Sequence, residues 1–290
     1  MTEPLRPRRS VLYMPGANER ALEKAKGIPA DSLILDLEDA VAPDAKPDAR
    51  DRVCATVRSG EYGAKELAIR INAVGTQWHH DDIVAAAAAA PAAVLVPKVN
   101  SAAEVARLVT ALDKAGAPLS TKLWAMLETP VAVLHAEEIA SASPRLTVLV
   151  MGTNDLAKEL FAEQVPGREP LKFGLQRCLM AARLAGKVIL DGVYNDIKDE
   201  DGFRAECIQA RQFGFDGKTL IHPSQVGPCN EVFAPDADAT DHARRVIAAY
   251  LEAQADGRGV VTVDGRMIEN LHVENARRVL AISDAIAALG

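Results

Sequence analysis

The chain of 290 residues is 49% hydrophobic, 25% charged and only 4% aromatic, with a formal net charge of −7. That apolar share supports a large buried core and excludes extended disorder, while the acidic balance argues against a nucleic-acid partner, which needs a basic face. No run reaches the roughly 18 apolar residues of a membrane span, and the N-terminus lacks an apolar signal core. Cys54, Cys178, Cys207 and Cys229 form no C-x-x-C pair. The expectation is a cytoplasmic protein with reduced, buried thiols and no membrane partner.

In chain order, short apolar runs alternate with amphipathic helical stretches. The runs lie at 9–16 (RSVLYMPG), 32–41 (SLILDLEDAV), 66–72 (ELAIRIN), 93–99 (AVLVPKV), 122–130 (KLWAMLETP), 146–156 (LTVLVMGTNDL), 187–195 (KVILDGVYN) and 216–223 (DGKTLIHP). Helical patterns fall between them, as at Ala102–Lys114 and Leu171–Leu184, and Ala85–Ala90 reads as a helix with a small-residue face. Eight βα units predict an α/β fold of the (β/α)8 or TIM-barrel type; a doubly wound open sheet would more often show fewer strands and a Gly-rich first turn. After the eighth unit the pattern changes. A helix over Asp241–Ala255, a break at Asp256–Gly259, an extended piece Val260–Val263, a turn at Asp264-Gly265 and a helix over Asn270–Leu289 follow. The reading is a barrel over 1–235 with a C-terminal helical lid or oligomer arm over 236–290.

Active sites of such barrels sit at the C-terminal ends of the strands. Those ends carry Glu38 and Asp39, Arg70, Lys98, Glu128, Asp155, Asp191, Lys218 and His222. Carboxylates converging on one mouth need pairing or a cation. Glu128 and Asp155 lie on consecutive strand ends, and two carboxylates with open remaining positions suit Mg²⁺, with Mn²⁺ as the alternative ion. The bland reading is that each caps the helix after it. Arg70 can grip a substrate carboxylate, pair with Glu38 or Asp39, or do both. Alternation sends Asp36 and Glu38 to one side of their strand, as support for a metal more than as ligands.

Basic residues thicken near the N-terminus at Arg6, Arg8, Arg9, Arg20, Lys24 and Lys26. They read as a solvated surface, or in part as partners for the phosphates of an anionic cofactor. Arg20 and Lys98 join Arg70 as candidate substrate-binding residues. GFDGKT (214–219) is too short for a phosphate loop, and neither G-x-G-x-x-G nor G-x-S-x-G occurs. His79 and His80 read as solvated at a helix start, and His135, His242 and His272 as structural. His222 reads as packing first, with a functional role second.

With these motifs in order, the chain resembles the citrate lyase β-subunit-like proteins, grouped with malyl-CoA, β-methylmalyl-CoA and citramalyl-CoA lyases in the HpcH/HpaI aldolase-like superfamily. The resemblance runs through RSVLYMPG, DLEDAV with Lys46 and Arg50, Arg70–Asn72, Pro97-Lys98, Glu128–Pro130, Gly152–Asp155 and GKTLIHPSQV (217–226). It implies a barrel with a C-terminal lid, assembled as a homotrimer or homohexamer. It also implies Mg²⁺ on Glu128 and Asp155, and Arg70 on the acid end of the substrate. In the lid, where those lyases carry an acid/base Asp that reaches a neighbouring subunit, this chain has Glu269. Arg70, Glu269, Glu38 and Asp39 are therefore the candidate catalytic residues.

The implied activity is a carbon–carbon lyase acting on a 3-hydroxyacyl-CoA. It would release acetyl-CoA or propionyl-CoA with glyoxylate or pyruvate, with CoA entering only as part of the substrate. The alternatives are a malyl-CoA thioesterase on the same scaffold and a citrate lyase β subunit acting on an acyl-carrier-protein thioester. A non-catalytic barrel, or an aldolase acting on free oxo acids, stands further off.

Overall fold

The computed structural model describes residues 5–257 and 259–289. Ten strands follow in chain order: β1 (Ser10–Pro15), β2 (Ser32–Asp36), β3 (Glu66–Arg70), β4 (Ala93–Val96), β5 (Lys122–Leu127), β6 (Leu146–Met151), β7 (Val188–Asp191), β8 (Gly217–Leu220), β9 (Val261–Val263) and β10 (Arg266–Ile268). The helices are α1 (Glu19–Ala25), α2 (Lys46–Ser59), α3 (His79–Ala89), α4 (Ala102–Lys114), α5 (Pro130–Leu134), α6 (Ala136–Ser141), α7 (Thr153–Glu159), α8 (Lys172–Leu184), α9 (Glu200–Phe213), α10 (Val226–Phe233), α11 (Ala237–Ala255) and α12 (Asn270–Ala287). They form two compact units, Arg8–Asn230 and Glu231 onward together with the residues up to Pro7.

In the first unit β1 to β8 close into a barrel, each strand parallel to the next and β8 paired back onto β1. Strands covered on both faces must be apolar on both, which is why they read as near-continuous Val, Ile, Leu and Ala runs. Side chains alternate in and out. Val11, Ile34, Ala68, Ala93, Leu95, Trp124, Met126, Val148, Val150 and Leu190 form one buried cluster, and their two-residue spacing marks them as the barrel's filling. The same parity carried two residues further leads from Ile34 to Asp36, from Ala68 to Arg70, and from Met126 to Glu128. The apolar interior is thus topped by charge. Arg8 lies over the Trp124 ring, 5.6 Å from its centroid.

The second unit packs α11 and α12 around Ala243, Val246, Tyr250, Val263, Ile268, Val273 and Ala276. It includes a hairpin that sequence reading left half-formed: β10 pairs antiparallel with β9. Asp264 (φ 48°) and Gly265 (φ 75°) turn the chain between them, the left-handed pair that two-residue hairpins favour. Helix α11 begins four residues before the expected Asp241, because Asp236 caps it by accepting a hydrogen bond from the Ala239 N–H.

All four cysteines are free and buried, as expected. No helix among the described residues is long and apolar enough to cross a membrane. The N-terminal basic residues are in part neither solvated nor open to phosphate. Arg8 forks onto Glu66 at 2.6 and 2.7 Å, and Arg9 onto Asp31 at 2.8 and 2.9 Å. These ion pairs tie the chain's entry to β2 and β3.

Candidate active site

The register pairs Asp36 with Arg70 across β2 and β3. Asp36, 1% exposed, takes the guanidinium in a two-pronged bond, with Nε to Oδ1 and Nη2 to Oδ2 both at 2.6 Å. Its oxygens also accept the N–H groups of Glu38 (2.9 Å) and Ala40 (3.1 Å), which fixes the loop leaving β2. With Nε and Nη2 committed, Nη1 turns to Glu38 Oε2 at 3.0 Å and Asp39 Oδ2 at 3.3 Å. The Tyr13 ring lies 4.9 Å from the guanidinium carbon. Arg70 therefore does pair with Glu38 and Asp39, and its main anchor is Asp36. Burial pushes the Glu38 carboxyl up to about 7 against the pull of Arg70, with Asp39 and Asp36 adding to the rise.

Lys46, from the first turn of α2, braces the same loop from behind. Its ammonium donates to the carbonyls of Leu37 and Glu38, each at 2.9 Å, and to Asn72 Oδ1 at 2.7 Å. Those three acceptors match the donors of one ammonium. His79, read as solvated, instead has its Nδ1 2.8 Å from the Asn72 carbonyl oxygen. His80 is exposed.

Two strands further round, Glu128 is 3% exposed just past β5. Its Oε1 accepts the Lys98 N–H at 2.8 Å, and Lys98 takes a left-handed backbone (φ 53°) as the chain leaves β4. The Lys98 ammonium is 3.8 Å from Asp155 Oδ1. Asp155 stands half-buried in the first turn of α7. Neither carboxylate is spent as a cap: Thr129 caps α5, and Gly152, which has no side chain, precedes α7. Burial, then the charges of Asp155 and Glu38, push the Glu128 carboxyl up to about 8. Arg70 and the Lys98 N–H only partly oppose them.

A cation fits this chemistry. Glu128 is a buried acid resisted by two other acids, and a hard divalent ion would remove that resistance. No group of three or more His, Cys, Asp or Glu side chains suited to a metal occurs among the described residues. Two protein carboxylates would leave the other positions to water and substrate, the habit of Mg²⁺ and not of a closed structural site.

Asp191 and Lys218 are not part of that cluster, contrary to the sequence reading of one converging set. The Lys218 ammonium, fully buried, donates to Asp191 Oδ2 (2.8 Å), Glu206 Oε1 (2.7 Å) and the Gly192 carbonyl (2.5 Å). Arg168 reaches both oxygens of Asp191, at 2.7 and 2.9 Å. Burial opposes ionisation of Asp191, yet Lys218 and Arg168 together hold it below the usual range. Two cations and two anions close on themselves there. Beside them a cavity of about 420 Å³ is lined in part by Thr153, Asn154, Arg168, Tyr194 and Glu206.

The remaining candidates stand elsewhere. Arg20 is exposed in the first turn of α1 and, among the described residues, makes no ion pair with the rim. His222 is exposed and caps the short turn Pro223–Gln225, its Nδ1 2.8 Å from Ser224 Oγ. Glu269 is exposed in the second unit, at the N-cap of α12, with its N–H donating to His272 Nδ1 at 3.0 Å. Lys46 was left out of the site by sequence reasoning, and Asp36 was read as support for a metal and not as the anchor of Arg70. Their signal was the two-residue parity for Asp36 and a lysine in a motif for Lys46.

Comparison with known proteins bears on this geometry. The sequence pattern of the family described as HpcH/HpaI aldolase/citrate lyase matches residues 9–223. The chain is 50% identical over 290 residues to a (3S)-malyl-CoA thioesterase of Cereibacter sphaeroides (strain ATCC 17025 / ATH 2.4.3), covering 100% of this chain and 99% of that protein. It is 32% identical over 311 residues to an L-malyl-CoA/beta-methylmalyl-CoA lyase of Cereibacter sphaeroides (strain ATCC 17029 / ATH 2.4.9), covering 98% and 97%. Among solved structures, CitE of Mycobacterium tuberculosis in complex with magnesium, acetoacetate and coenzyme A aligns with a TM-score of 0.78 and 32% identity. That alignment covers 97% of this chain and 100% of that one.

Proposed function

The chain belongs to the HpcH/HpaI aldolase/citrate lyase family, and we propose that it acts on a short 3-hydroxyacyl-CoA of the malyl-CoA class with Mg²⁺ held by Glu128 and Asp155. The observation that carries this is the buried Glu128 carboxyl, 3% exposed, held by the Lys98 N–H at 2.8 Å while the ammonium of the same lysine stands 3.8 Å from Asp155. Such a group is costly without a cation, and a relative of 32% identity was solved in complex with magnesium. Of the reactions open to the site, hydrolysis of the thioester comes first. Identity of 50% along the whole chain to a malyl-CoA thioesterase exceeds the 32% to a malyl-CoA lyase.

When bound, the ion would supply Lewis-acid polarisation of substrate oxygens. The protein's own residues do the rest. Asp36 locks the Arg70 guanidinium in one orientation, so that Nη1 is presented at the mouth as a ready donor for the small carboxylate of the substrate. That carboxylate takes over from Asp39, which is largely solvent-exposed. Glu38, ionising near neutral pH, accepts the proton of an attacking water. The water oxygen adds to the thioester carbonyl carbon, the carbon–sulfur bond breaks, and the CoA thiolate leaves with a proton returned to it. The products are the free hydroxy diacid and CoA thiol.

The second reading, carbon–carbon cleavage, uses the same Arg70, Glu128 and Asp155. Here the 3-hydroxyl loses its proton, the bond between carbons 2 and 3 breaks, and the enolate of acetyl-CoA is protonated. Glu269 is the candidate proton donor for that step, offered to the site of a neighbouring copy in a homotrimer or homohexamer. The test is a product balance with (3S)-malyl-CoA and Mg²⁺. Malate and free thiol in equal amounts without glyoxylate support hydrolysis; glyoxylate with acetyl-CoA and no thiol supports cleavage. Turnover of no 3-hydroxyacyl-CoA would remove both.

A further inference from the structure

The first turn of α7 is pinched between two strand ends. On one side Gly152 approaches Glu128 so closely that a Cβ there would stand 2.4 Å from Glu128 Cβ and 2.5 Å from Oε2. On the other, a Cβ at Gly192, just past β7, would stand 2.3 Å from Thr153 Oγ1, 2.6 Å from Cγ2 and 2.9 Å from Cβ. Neither glycine has a positive φ. Both are therefore demanded by space and not by backbone conformation. Thr153 is 6% exposed and begins α7, two residues before Asp155.

Gly192 is in turn immobilised. Its carbonyl accepts from the fully buried Lys218 ammonium, whose other two donors go to Asp191 and Glu206. Arg168 holds Asp191 from the opposite side, and the Thr219 hydroxyl donates to the Asp191 carbonyl at 3.0 Å. Fully satisfied buried networks of this kind rigidify the backbone they join. This buried polar network is thus attached to the backbone segment that lies against Thr153.

We infer that Gly192, clamped by Lys218 and Asp191, is a positioning residue that fixes the start of α7 and so aims Asp155 at the cation it would share with Glu128. The inference rests on the cation reading of Glu128 and Asp155. Supporting groups behind a metal ligand set its direction, and their loss typically costs about 10–100-fold in metal affinity. A purely structural glycine would instead reveal itself only in unfolding.

The test uses the full chain and Mn²⁺ as the probe, with free Mn²⁺ read by electron paramagnetic resonance and the unfolding midpoint recorded alongside. Gly192→Ala should weaken Mn²⁺ binding by about 10–100-fold. The double variant Gly192→Ala/Thr153→Ala removes the two nearest clashing atoms, leaves the 2.9 Å Cβ contact, and should regain part of that loss. Such recovery is coupling that independent sites do not show. If Gly192→Ala does not fold, Thr153→Val carries the test, since it sets a wider methyl against the same glycine and should also weaken Mn²⁺ binding. Unchanged Mn²⁺ affinity in a folded Gly192→Ala, or in Thr153→Val, overturns the inference. Wild-type protein that binds no Mn²⁺ overturns the cation reading itself, and this inference with it.

Discussion

Glu128 Oε1 accepts a hydrogen bond of 2.8 Å from the Lys98 N–H, so the acid that ends β5 is fastened to the backbone that leaves β4. A single neutral donor does not offset burial beside two further acids. The carboxyl is left near 8, far above its ordinary 4.5. The site is poised to lose a proton when a cation arrives.

That poise has a stability signature. A carboxyl whose folded-state value is raised favours the folded protein fully below the unfolded value near 4.5, and the benefit is lost as pH rises through about 8. In the presence of a chelator, wild type should therefore lose stability between those limits relative to Glu128→Gln, by an amount on the order of a few kcal/mol. Urea unfolding of both proteins at pH 5 and pH 8 checks this. A stability difference independent of pH would count against the buried-acid assignment.

Glu38 should set the acid limb of the rate profile. Its carboxyl stands near 7 and must be ionised to accept a proton, so kcat/KM is expected to rise with pH through about 7 and level off above. Glu38→Gln should lower the plateau and abolish that limb. Persistence of the same limb in the variant assigns the titration to another group.

Arg70→Lys should retain the charge and lose the fork. Lysine cannot engage both oxygens of Asp36 while still presenting a donor at the mouth. KM for the acyl-CoA is expected to rise at least about tenfold, the scale of one charge-assisted hydrogen bond. Asp36→Asn should reproduce part of this effect without touching substrate. An unaltered KM in Arg70→Lys removes the carboxylate-gripping role.

Lys46→Met tests the brace behind the loop. It strips the carbonyls of Leu37 and Glu38 and the Asn72 side chain of their shared ammonium. Activity should fall through misplacement of Glu38, with Mn²⁺ binding little changed because Glu128 and Asp155 hang from other strands. Equal damage to both readouts would mean that the brace supports the whole rim.

Much of this could be read from the chain, for physical reasons that also mark where reading fails. Barrel strands are buried on both faces, so they stand out as apolar runs, and a two-residue parity linked Asp36 and Glu38 before any coordinates. Helix α4 appeared at its expected limits because Ser101 caps it and its apolar stripe is regular. The partner of Arg70 was less legible: DLED offers three acids, and only the register of β2 against β3 selects Asp36 for the fork. Asp191 and Lys218 were misjudged because Arg168, brought in by the irregular segment before α8, was invisible as their counter-charge. His79 was misjudged because its acceptor is a backbone carbonyl, which no side-chain pattern reports. Lys98 stood out as a cation, yet its N–H is the group that touches Glu128. The second half of the β9–β10 hairpin escaped because three residues carry too little periodicity to register.

The most direct measurement is Mn²⁺ binding to the wild-type chain and to Glu128→Gln and Asp155→Asn, followed by electron paramagnetic resonance with circular dichroism as the check on folding. The expected result is one site per chain in the wild type, lost or greatly weakened in each folded variant, with turnover lost in parallel. Wild-type affinity retained in both variants would contradict the account at its centre.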